Sequence, residues 1–326
     1  VKRQFVLILA LVLAFALAGC VSGGNMYSSV MGQYYLKQRD YKDGVKVFEE
    51  RLKQDPQDHT ASYYVGRYYL ALNKPDEAMP YLKKAAELDP QNAEYQFWIG
   101  VGYWAKFEFD KEKEAYEKTL ALDPDHISAN LYLGHGYTDG KQWEKALEKY
   151  DKVIKLDKYN PEALYNRAVA LGGLGRDKEE IAALKKFLKY YPDGSLAMRA
   201  ALRLNLQGDF SYRNFIIGKR NVTLRTMAFK PGTNDLEQES KESLHVISAM
   251  MKEKEELALH VVAYKDGDAA AAKARAKAVR DYILAGNPGF DPKRLPLSWF
   301  GTAEIVEKKD KTFTLDDSVT FITVVR

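Results

Sequence analysis

A spacing of 34 residues, kept four times without an insertion, constrains this chain more than any other feature. Gly32, Gly66, Gly100, Gly134 and Ala168 share one slot. Three residues on stand Tyr35, Tyr69, Tyr103, Tyr137 and Leu171, and further along come Phe48, Leu82, Tyr116, Tyr150 and Leu184. Pro56, Pro90, Pro124, Lys158 and Pro192 close the units, with Asp55, Asp89, Asp123 and Asp157 just before the first four. Such a period means that one small unit is copied and that each copy buries its apolar face on the next.

These slots strongly resemble the tetratricopeptide repeat, a pair of helices. The resemblance implies that the two helices cross at the glycine or alanine slot, where a larger side chain would hold them apart, and that the aromatic slots fill the gap between them. Proline ends the second helix, since it lacks an N–H and its ring clashes with the preceding turn. The resemblance implies an α-helical solenoid of about five repeats over residues 26–206, with Ser195 to Leu206 as its capping helix. In that family the first helix of each unit lines the inner, ligand-binding face. Here this implies a groove made of Tyr63, Arg67, Phe97, Val101, Trp104, Leu131, His135 and Tyr165. Aromatic and arginine side chains carry much of the binding energy of interfaces, so an extended peptide or a partner helix is the expected ligand. Packing between neighbouring repeats is the competing use of the same rings. The Lys/Asn pattern with which some relatives clamp a C-terminal carboxylate is absent, and Arg67 with Asn166 alone does not make one.

Ahead of the repeats, Lys2 and Arg3 precede an unbroken apolar run, Phe5 to Ala16, and then Leu17-Ala18-Gly19-Cys20. This is the architecture of a signal peptide, and the run is short for a membrane span. The last four residues resemble a bacterial lipobox. That implies removal of residues 1–19, lipidation of Cys20 and a short tether over 20–25. Val21 and Ser22 after the cysteine imply delivery to the periplasmic face of the outer membrane. Cys20 is the only cysteine, which rules out an intramolecular disulfide and a cysteine-based metal site.

Past Gly208 the period stops. Residues 207–214 read as a linker to a small α/β domain over 215–326. Val222 and Leu224 open a strand, Leu244, Ile247 and Met251 mark a helical face, and Leu257, Leu259, Val261 and Ala263 alternate as a second strand. Asp268 caps an Ala-rich helix ending near Gly286, and Val319 and Phe321 lie in a closing strand, giving a βαβαβ order with one or two strands at the end. Val222-Thr-Leu, Phe229-Lys-Pro-Gly-Thr, Ala263-Tyr264-Lys265-Asp266 and Ala274-Arg275-Ala276 resemble a divergent OmpA-like, peptidoglycan-binding domain. The resemblance implies that Asp266 and Arg275 grip the free amino-acid end of a stem peptide: a carboxylate accepts from ammonium or amide, and guanidinium holds a carboxylate by two bonds. Three departures stand against that. Ala-Tyr-Lys-Asp replaces Gly-His-Thr-Asp, the loop before the arginine is shorter, and Asp316-Asp317-Ser318 stands where the family has Asn-Arg-Arg.

A net charge of +4, from 49 basic and 45 acidic residues, is too small for counterion-release binding, so nucleic acid is not an expected partner. The five histidines (59, 126, 135, 245 and 260) have no metal-ligand spacing, and neither a nucleophile elbow nor a Walker loop occurs. The cluster Gly172-Gly173-Leu174-Gly175 follows no strand and is not a phosphate loop. Neither metal, cofactor nor catalysis is therefore expected. The expectation is a lipid-anchored envelope scaffold, with a protein in the groove and peptidoglycan on the second domain. Its rivals are an assembly factor for a pilus, secretion or outer-membrane protein machine, and a wall-modifying enzyme.

Overall fold

The computed structural model describes residues 25–324, so the signal stretch and Cys20 lie outside the described residues. By contacts the chain divides after Lys158. The first unit is helical throughout: α1 (25–38), α2 (Tyr41–Gln54), α3 (His59–Ala71), α4 (Pro75–Leu88), α5 (Ala93–Ala105), α6 (Phe109–Leu122), α7 (Ile127–Asp139) and α8 (Trp143–Leu156). Each crossing is as tight as the small slot requires. A Cβ on Gly66 would lie 2.5 Å from Leu82, one on Gly100 2.4 Å from Tyr116, and one on Gly134 2.8 Å from Tyr150. Those three partners are themselves fully or almost fully buried.

The turns inside the units obey the same period through a different device. Arg39, Asn73, Phe107 and Lys141 all have φ between 54° and 60°, and Gly175 continues the series at 70°. In each case the next residue donates its N–H to the carbonyl of the residue three after the small slot, as in Lys74 to Tyr69 at 2.8 Å and Gln142 to Tyr137 at 2.8 Å. This is a Schellman-type helix close, which needs one left-handed residue. The recurring aspartates cap the other helix: Asp55, Asp89, Asp123 and Asp157 stand at the C-caps of α2, α4, α6 and α8.

The second unit begins with the fifth repeat, α9 (Pro161–Gly173) and α10 (Asp177–Tyr190), then α11 (Ser195–Leu206). Gly172 has no side chain because a Cβ would meet Glu180 and Arg203 at 2.4 and 2.6 Å. Buried Glu180 there accepts from Arg203 Nε (2.6 Å) and Gln207 Nε2 (2.7 Å), fastening α10 to α11. The chain then turns at once into a hairpin, β1 (Tyr212–Ile217) and β2 (Arg220–Arg225). So β1 starts inside the stretch expected as a linker. Asn205 of α11 explains this, donating to the carbonyls of Asp209 (2.9 Å) and Tyr212 (2.8 Å).

After β2 follow α12 (Gln238–Glu253), β3 (Ala258–Lys265), α13 (Ala269–Ala285), a 3₁₀ turn at Pro292–Arg294, β4 (Leu297–Phe300), the hairpin β5 (Glu304–Lys308) and β6 (Lys311–Leu315), and β7 (Asp317–Val324). Strand β3 pairs in parallel with β4 and antiparallel with β7. The small α/β class holds, but β1, β4, β5 and β6 add strands to the βαβαβ order. The expected faces form the core: Leu244, Ile247, Met251, Leu257, Leu259, Val261, Ala263, Val319 and Phe321 are all buried together. Asp268 caps α13, accepting from Ala271 N–H at 2.8 Å. Buried Arg294 closes the far end by donating to the carbonyls of Leu257, Met251 and Lys254.

Candidate functional site

The eight groove residues divide by burial. Tyr63, Phe97, Leu131 and Tyr165 are buried, Arg67, Val101 and His135 half-buried, and Trp104 exposed at 59%. Phe97 is enclosed by the rings of Trp98, Tyr116, His126 and Tyr132, with centroids 4.8–5.8 Å away. His135 lies between the rings of Tyr132 and Tyr150. Tyr165, in the second unit, packs edge-on against Phe187 and beneath Arg199. The buried rings of the groove therefore hold repeats together.

Two turns of adjacent first helices carry a polar–aromatic cluster instead. Arg67 lies over Trp98 (4.0 Å to the ring centre) and donates to Tyr63 Oη at 3.0 Å. Glu94 accepts from Trp98 Nε1 (2.8 Å) and Tyr63 Oη (3.1 Å), and lies 3.2 Å from His126 Nε2. His126 Nδ1 accepts from Ala129 N–H at the start of α7, so the neutral ring has its proton on Nε2, facing Glu94. The bond from His126, helped by those from Trp98 and Tyr63, holds the Glu94 carboxyl down to about 2. Sequence reading missed Glu94, Trp98 and His126. The signal was present, since Tyr63/Arg67 and Glu94/Trp98 are i,i+4 pairs that meet on one helix face.

In the second unit, Asp266 and Arg275 come to one corner of the sheet. Asp266 is exposed just after β3, and its N–H donates to Asp316 O at 2.8 Å. The next residue, Asp317, opens β7 opposite Lys265, whose Nζ is 3.6 Å away, and forms an ion pair with Arg275 Nη1. The Arg275 guanidinium rests on Phe229, 4.8 Å from its ring centre. At the same ends of β3 and β4, Tyr264 stacks on half-exposed Phe300 (5.2 Å), and Lys273 lies over Trp299. Beneath the corner, buried Glu304 accepts two 2.8 Å bonds from Arg213 and one of 2.7 Å from Ser318. Among the described residues no three His, Cys, Asp or Glu side chains could hold a metal ion, and no helix is long and apolar enough to cross a membrane.

Comparison with known families follows the same division. Tetratricopeptide-repeat models match residues 30–93, 93–126, 134–175 and 162–194, and the OmpA family matches residues 228–313. By fold the chain is similar to pilF of Pseudomonas aeruginosa, with 16% identity and a TM-score of 0.51 over 58% of this chain and 87% of that one. It is also similar to MamA (25% identity, TM-score 0.46, 49% of this chain and 94% of that one). A thermophilic repeat protein of Thermus thermophilus shares 21% identity at a TM-score of 0.44, over 56% and 99%. None of the curated proteins compared with the chain matches it. The repeat family serves protein–protein interaction, and the OmpA family is associated with the cell envelope; both consist of binding and scaffold modules. The chain thus carries tetratricopeptide repeats between residues 30 and 194 and, after them, an OmpA-family domain.

Proposed function

We propose that this protein is a lipid-anchored scaffold of the bacterial envelope, recruiting a protein through its repeats and touching peptidoglycan through its C-terminal domain. The observation that carries the wall-binding half is the corner shared by Asp266 and Arg275, inside the segment that matches the OmpA family. An exposed carboxylate and a flat guanidinium together suit the ammonium and carboxylate of a free amino-acid end. Arg67 stacked on Trp98, together with exposed Trp104, supports the protein-binding half, because large rings and arginine dominate interface energetics. Cys20 would carry the acyl chains, and more than one chain makes such anchoring stable.

Sedimentation of the full chain with purified sacculi tests the wall-binding half. Arg275→Ala and Asp266→Ala should each weaken it about ten-fold or more, the value of one charge-assisted bond. A chain that does not sediment would leave the second reading, an assembly factor that has kept the fold and lost the ligand. The negative pair Asp316-Asp317 favours that second reading. For the anchor, metabolic labelling with a fatty-acid analogue should mark the natural chain and leave Cys20→Ala unmarked; equal label on both would remove the lipid from the proposal.

A further inference from the structure

We propose that Asp317 is a built-in competitor for the carboxylate that Arg275 would hold, so that an anionic ligand enters only when this side chain turns aside. The proposal rests on reading the corner as a peptidoglycan site. The Arg275 side chain is only 12% exposed; its Nη1 is held by the Asp317 carboxylate, and among the described residues its Nε has no hydrogen-bond acceptor. Asp317 therefore occupies Nη1 and neutralises the guanidinium while Nε is left unused, which is an anion seat only partly filled.

The surroundings decide which group can move. Phe229 lies against the guanidinium, and burial holds the rest of Arg275 in place. Asp317 is 38% exposed at its side chain. Its neighbour Ser318 is buried and donates to Glu304, so the backbone of β7 is fixed and only the Asp317 side chain is left to swing. Lys265, across the ladder, offers the same carboxylate a second cation, so leaving Arg275 does not strand it unpaired. A ligand carboxylate that displaces Asp317 from Nη1 and also bonds Nε fills a donor that Asp317 leaves unused. The competitor therefore weakens binding without abolishing it and selects for ligands with a free carboxylate.

The test uses the full chain, a synthetic stem tripeptide with a free terminal carboxylate, and the same peptide as its carboxamide. Asp317→Asn keeps the shape and removes the charge, and circular dichroism checks that the fold is kept. The variant should bind the carboxylate peptide about ten-fold or more tightly than the natural chain, as expected for freeing one charge-assisted bond. The gain should vanish with the carboxamide and with Arg275→Ala added. Equal affinity of the two chains, with loss on Arg275→Ala in both, would overturn the competitor role and leave the wall-binding reading standing. No binding of peptide or sacculi by either chain would overturn both. If Asp317→Asn does not fold, Asp317→Ser is judged by the same outcomes.

Discussion

The repeats of the first unit and the domain that ends the chain are closed over very different distances along the sequence. In the repeats, contacts recur within about one period: Tyr68 donates to Gly32 O, 36 residues away, and Gly100 faces Tyr116. In the C-terminal unit, Arg213 reaches Glu304 across 91 residues, and Gly218 and Ile216 meet Thr323 across 105 and 107. A repeat can be lost or loosened at the cost of its neighbours alone. The second unit instead needs its first and last strands at the same time, so the corner of Asp266 and Arg275 exists only when nearly the whole unit is folded.

Removing one member of a long-range pair should therefore be among the largest effects. Glu304→Ala leaves Arg213 buried and unpaired, an expected cost of about 3–5 kcal/mol. Urea unfolding should show it, together with loss of the β7 signals in spectra of the assigned chain. A cost near zero would mean that the hairpin β5–β6 is not holding β7. In the repeats, Phe97→Ala empties a filled site and should cost about 3–5 kcal/mol, whereas Trp104→Ala should leave stability unchanged and reduce crosslinking to a protein partner. Equal destabilisation by both would contradict the split between packing and presented rings.

Gly100→Leu comes next. Overpacking against Tyr116 should cost about 1–3 kcal/mol and shift the melting of adjacent repeats as well. Unchanged thermal unfolding would argue against the helix crossing. The smallest expected effect concerns pH. Burial, with Asp139 nearby, raises the Glu112 carboxyl to about 7, above its ordinary 4.5. The folded chain then keeps a proton that the unfolded chain has lost, so stability falls as pH rises from about 4.5 to about 7. Glu112→Gln should flatten that slope in urea titrations at several pH values; an unaltered slope would place the pH dependence elsewhere.

Legibility in the sequence follows the same contrast. The glycine and aromatic slots were readable because five copies print the same physical demand at one spacing. The left-handed turn residues were not, since Arg39, Asn73, Phe107 and Lys141 share a backbone state and no side-chain chemistry. The first half of β1 reads as a linker because Asn205, which holds its start, lies outside any local pattern. For the candidate sites, Asp266 and Arg275 were visible through a family resemblance. The burial of Phe97 and Tyr63 was not, because a helix face shared between a groove and a neighbouring repeat carries the same period for both uses.

The claim that the fifth repeat, its following helix and the α/β domain fold as one body is tested most directly by two fragments. Residues 159–326 should unfold in a single cooperative transition followed by circular dichroism in urea. Residues 215–326, which lack α11 and the first half of β1, should show no such transition. Equal cooperativity and stability of the two fragments would contradict the account.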